Sequence, residues 1–151
     1  MTAPASAPVP LRLAAPLLRG LLSDGIPVCV EVGGHSMTPF IRRGDLVTLR
    51  PRSGHRLPVG AVLLLQDANR RLLLHRHLGW AAGRIVPRGD NTAAADATVA
   101  PEQVLGVVTR VQRRGRRVWA GLGPEGRLIA WLSRGGLLRR AARLRERLRR
   151  P

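Results

Sequence analysis

Serine, histidine and aspartate fall in that order along this chain, each in a short segment beside turn residues. The segments are Gly34-His35-Ser36-Met37-Thr38-Pro39, then Leu74-His75-Arg76, then Arg88-Gly89-Asp90-Asn91 with Asp96 beyond. A serine hydroxyl is a poor nucleophile until a neutral imidazole within hydrogen-bond reach takes its proton. A carboxylate on the far ring nitrogen then fixes the tautomer and stabilises the cation that forms. Together the three types point to acyl transfer. Singly, each has an ordinary explanation: Ser36 suits a turn, a lone histidine suits a sheet interior, and Asp45 after Gly44 and Asp90 after Gly89 suit turn positions. His77 lies on the same strand face as His75 and is a rival base, whereas His35 and His55 have no comparable context. All 26 basic residues are arginine, so lysine chemistry is excluded. Cys29 stands alone and no cysteine and histidine cluster has zinc-site spacing, so no disulfide framework, structural metal or other cofactor is expected.

A β domain is expected to bring these segments together. At 151 residues the chain has room for one core, and 44% apolar residues are enough to fill it. Residues 1–10 read as a flexible Pro/Ala arm, and Leu11 to Leu22 as a short amphipathic helix stopped by Ser23-Asp24-Gly25. Ile26, Val28, Val30 and Val32 then alternate with other residues at strand period, and Gly33-Gly34 ends that strand just before Ser36. Further strands are expected near 45–50, 61–66, 71–76, 83–86, 104–111 and 116–120, the pair 61–66 and 71–76 forming a hairpin. Short strands without long intervening helices argue for a single, mainly antiparallel β domain over residues 11–120. Residues 121–151 form a basic helical tail, with Leu137, Leu138, Ala141, Leu144 and Leu148 at helical spacing among arginines.

The net charge of +17 is concentrated at the C-terminal end. Residues 109–151 hold 14 arginines against Glu125 and Glu146, which implies an anionic partner or surface. Aromatic stacking platforms and known nucleic-acid motifs are missing, so nucleic acid is disfavoured and peripheral contact with an anionic membrane is the alternative for the arginine-rich helix. Every apolar stretch is broken by arginine or proline well before the ~18 residues that would span a bilayer, and Met1 to Pro10 lacks the basic start of a signal peptide. A cytoplasmic protein, peripheral at most on the inner membrane face, is expected.

Over roughly residues 26–111 the sequence resembles the signal-peptidase and self-cleaving-repressor superfamily of serine proteases, in which a Ser-Met-x-Pro segment supplies the nucleophile. His75-Arg76 and Gly89-Asp90-Asn91 with Asp96 are similar to the branch of signal peptidases, archaeal, eukaryotic and sporulation-type, that uses histidine as base in place of lysine. The resemblance implies that fold, no cofactor, and a serine endopeptidase cutting a precursor or leader peptide after small residues. It implies Ser36 as nucleophile, His75 as base and Asp96 as its orienting carboxylate. Asp90 and Asn91 would shape a supporting turn, and Gly34, Met37 and Pro39 would lie at the oxyanion and substrate groove. Many relatives carry a serine where this chain has Gly34, so backbone N–H groups, that of Ser36 included, would bind the oxyanion. The alternatives are an anion-binding module that has lost catalysis, and a regulator that cuts only itself.

Overall fold

The computed structural model describes residues 9–10, 15–52, 54, 57–94, 96–137 and 140–141. The fold is mainly β. Strands β1 (Val9–Pro10), β2 (Val28–Glu31), β3 (Leu46–Pro51), β4 (Val62–Gln66), β5 (Leu72–Ala81), β6 (Arg84–Arg88) and β7 (Val104–Arg113) form one sheet in the order β1-β2-β3-β7-β4-β5-β6. A short β8 (Arg116–Arg117) pairs with β7, and all pairings are antiparallel except β1 with β2. Helix α1 (Ala15–Ser23) precedes β2, and α2 (Gly126–Arg134) follows β8.

The apolar run Val62-Leu63-Leu64-Leu65 is buried on both faces, because alternate side chains feed two cores. Val62 and Leu64 join Val30, Val47, Leu49, Leu74, Val108 and Val111 on one side, together with Leu18 and Leu22 of α1. Leu63 and Leu65 join Ile85, Val99 and Val104 on the other. Strand β7 serves both cores because its register shifts twice, opposite Thr48/Leu49 and opposite Leu64/Leu65, and each shift bends it.

Local sequence sets the ends of α1 and the seat of α2. Ile26 N–H bonds Leu21 C=O and Gly25 N–H bonds Leu22 C=O, a Schellman closure that needs the left-handed Gly25, φ 81°. Helix α2 sits backbone against backbone: a Cβ on Gly60 would stand 2.3 Å from the Gly126 carbonyl carbon. Ile129, Ala130 and Ser133 are buried in that contact.

Three expectations need correcting. Val9 and Pro10, assigned to the flexible arm, pair with Val30 and Glu31 of β2, and an edge is where a strand proline loses nothing by having no N–H. The strand expected over 116–120 stops at Arg117, because the Ala120 and Gly121 carbonyls accept from the Arg76 side chain instead of a ladder. The segment 121–151, expected as a tail, begins inside the packed fold, since α2 rests on β5 and the Ser133 carbonyl accepts from Arg88, 2.7 Å. Most of the helix expected over Leu137 to Leu148 lies outside the described residues, as do residues 1–8 and His55. No helix among the described residues is long and apolar enough to cross a membrane.

Candidate active site

Ser36 lies on the turn that follows β2. Val32 N–H bonds Asp45 C=O and Gly44 N–H bonds Val32 C=O, so the chain leaves the strand at a fixed point. Met37 and Ile41, four apart and almost wholly buried, plug the turn into the core, with Ile41 N–H on Met37 C=O at 3.0 Å. Ser36 is left half-buried at the rim. Met37 therefore anchors the turn from below as a buried apolar plug. Pro39 is half-buried in the same turn, and Gly34 is exposed with open space where a Cβ would stand.

The Ser36 turn is docked on the loop after β6. Asn91 N–H donates to Ser36 C=O at 2.7 Å, and the Asn91 side-chain amide reaches His35 C=O. A Cβ on Gly89 would lie 2.6 Å from the Ser36 carbonyl oxygen and 2.9 Å from its Cβ, so only glycine permits this approach. Arg76 of β5 faces Arg88 of β6, and continuing that register one step sets Gly89 opposite His75. Cross-strand neighbours share a face. Ser36 thus packs against Gly89, the residue after β6, which the continued register sets beside His75.

His75 is 4% exposed. Its Nδ1 meets Asp96 Oδ2 in an ion-pair contact, and neither buried atom has a hydrogen-bond partner among the described residues. Asp96 is held by its own N–H on Pro87 C=O, and its side chain keeps 32% exposure on the wall of a cavity of about 280 Å³ lined also by Leu73, Pro87, Arg84 and Thr98. A carboxylate on Nδ1 selects the tautomer with the proton there, which leaves Nε2 as the basic nitrogen.

The other candidates separate by their partners. His77, fully buried, has Nδ1 3.1 Å from Pro58 C=O and Nε2 3.1 Å from Gly79 C=O, so neither nitrogen is open to a serine. Burial pushes its pKa below the ordinary histidine value. Asp45 accepts from Arg113 Nε and Nη2 and from Arg42 N–H, which makes it a structural carboxylate beneath the turn. Asp90 is paired with Arg76.

That pair is what residue-by-residue reading missed. Arg76 is wholly buried, with Nε and Nη2 donating to the two Asp90 oxygens at 2.9 and 2.8 Å. Nη1 donates to Gly60 C=O and Gly121 C=O, and Nη2 also to Ala120 C=O, so all five guanidinium protons are used. The guanidinium also lies 5.6 Å from the Phe40 ring centroid. One side chain thereby joins the turn before β4, the loop after β6, the segment before α2 and the end of the Ser36 turn. Its signal in the sequence is an arginine between two histidines in a strand that opens with Leu72-Leu73-Leu74.

Compared with family models, curated proteins and solved structures, the chain matches none.

Proposed function

We propose that this chain is a serine endopeptidase in which Ser36 is the nucleophile, His75 the general base and Asp96 the carboxylate that orients it. The observation that carries the reading is the buried His75 Nδ1 to Asp96 contact together with the close approach of Ser36 to Gly89, the residue after β6. In the first step Ser36 Oγ attacks the scissile carbonyl carbon while Nε2 takes its proton. Asp96 stabilises the imidazolium, and backbone N–H groups at the turn, that of Ser36 included, receive the developing oxyanion. His75 then returns the proton to the leaving amine, and a water activated by the same nitrogen releases the acyl group.

The resemblance supplies the substrate class, a precursor or leader peptide with small residues before the cut. The test is labelling by a fluorophosphonate probe together with hydrolysis of a peptide library. Wild-type protein should be labelled and cleave, while Ser36→Ala and His75→Ala lose both, since a nucleophile and its base act as a unit. Absence of labelling in folded wild-type protein would replace this reading with the catalytically silent anion-binding module.

A further inference from the structure

Two of the three tryptophans of this chain stand out of its surface in one region. Trp119 and Trp131 are each 63% exposed and Leu128 is 60% exposed. Leu128 and Trp131 are three residues apart on α2 and so neighbours on its outer face. Trp119 donates its indole N–H to Glu125, the residue before α2, at 3.0 Å, which sets the indole at the same end of the molecule. Single exposed apolar residues are ordinary, but a patch of large ones marks a surface that is covered in use.

Its surroundings are cationic. Arg117 lines a hollow of about 450 Å³ with Trp119, Leu122 and Glu125, and Arg127 is exposed on α2 beside Leu128. Glu125, the carboxylate that lines this hollow, is engaged by Trp119 and by Gly123 N–H. Indoles with one apolar and one polar edge favour the headgroup region of a bilayer, and arginines around them draw anionic lipid. A second copy of the chain is opposed by its own charge of +17.

We infer that the face formed by Trp119, Leu128 and Trp131 docks on an anionic lipid bilayer. The face adjoins the candidate active site: Trp119 packs edge-on against Phe40, ring centroids 5.6 Å apart, and Phe40 belongs to the turn that begins at Ser36. Docking would hold that turn beside the membrane surface, where a membrane-borne peptide presents its cleavage site; this consequence, unlike the docking itself, rests on the proteolytic reading.

The test uses the full chain with phosphatidylcholine vesicles containing or lacking phosphatidylglycerol, read by co-sedimentation and tryptophan emission. The expected result is binding with blue-shifted emission on the anionic vesicles, weakened by salt, and reduced about tenfold or more in the Leu128→Ser/Trp131→Ser variant. Both side chains are exposed, so the variant should melt as the parent does. Ser36→Ala should bind as wild type, which keeps failure of docking distinct from failure of the catalytic reading. Equal binding by the double variant, no binding by wild type, or self-association that this variant abolishes would each overturn the proposal.

Discussion

Asp90 and Asp96 lie six residues apart on one loop, and substituting each by asparagine should separate a structural carboxylate from the one proposed to orient the base. Asp90→Asn removes the countercharge of a wholly buried guanidinium while keeping its shape, and breaking a buried pair from one side costs about 3–5 kcal/mol. Because the substituted amide would keep one acceptor oxygen, we take about 3–4 kcal/mol, which in a domain of this size lowers Tm by about 6–16 °C. Removing both partners does not rescue the fold, because the carbonyls of Gly60, Ala120 and Gly121 would then lose their donors, at about 1–3 kcal/mol for each one left dry. Asp96→Asn is different: its side chain is one-third exposed and loses one contact, about 1 kcal/mol, so Tm should fall by about 4 °C at most. An amide that donates to Nδ1, however, selects the tautomer with the proton on Nε2, which cannot accept from Ser36. Turnover should drop about 10²–10⁴-fold. Thermal melts by circular dichroism and probe-labelling rates at about 15 °C, well below both transitions, measure the two axes separately. If Asp90→Asn melts with wild type and loses more turnover than Asp96→Asn, the assignment of the two aspartates is wrong.

Gly89→Ala should lower labelling of Ser36 about tenfold or more, because the new methyl meets the Ser36 carbonyl and displaces the nucleophile; unchanged rates would show that Ser36 is not seated on that position. Gly34→Ser enters open space, so Tm should stay within about 2 °C while turnover rises if its hydroxyl reaches the oxyanion; a lower turnover would refute that placement. His77 has a depressed folded-state pKa through burial. Its contribution to stability is complete above its unfolded value of about 6.5 and is lost progressively as pH falls from there toward the lower folded value. Melting points should therefore drop on acidification below that value, and His77→Gln should flatten this part of the profile; an unchanged slope would assign it to another group.

The strands were legible wherever one side chain in two meets the core. Val28, Val30 and Val32 alternate with other residues, and the turn carrying Ser36 follows from where that alternation stops. The limits of β7 and β5 were harder to read, because bulges opposite Thr48/Leu49 and between His77 and Gly79 change the facing of residues without any local mark in the sequence. The packing of helix α2 was hidden for another reason: its seat is a contact between Gly60 and Gly126, 66 positions apart, and glycines report nothing about a distant partner until the chain is folded.

The division of labour between neighbours follows from the same period of two. On β5, Leu73 and His75 point to one face of the sheet, and Leu74 and Arg76 to the other. On the opposing segment Gly89 admits Ser36 on the first face, and Asp90 reaches Arg76 on the second. The His-Arg and Gly-Asp pairs that stand out in the sequence are thus two layers of one cross-strand unit. On the proposed reading the face with His75 would carry the chemistry, while the face with Arg76 ties together the segments around it. A shift of β5 by one residue against β6 would exchange the faces, burying His75 among the carbonyls and turning Arg76 toward Ser36. Five hydrogen bonds from Arg76, two of them to Asp90, oppose that slip, so what Arg76 supplies is the register of β5 against β6.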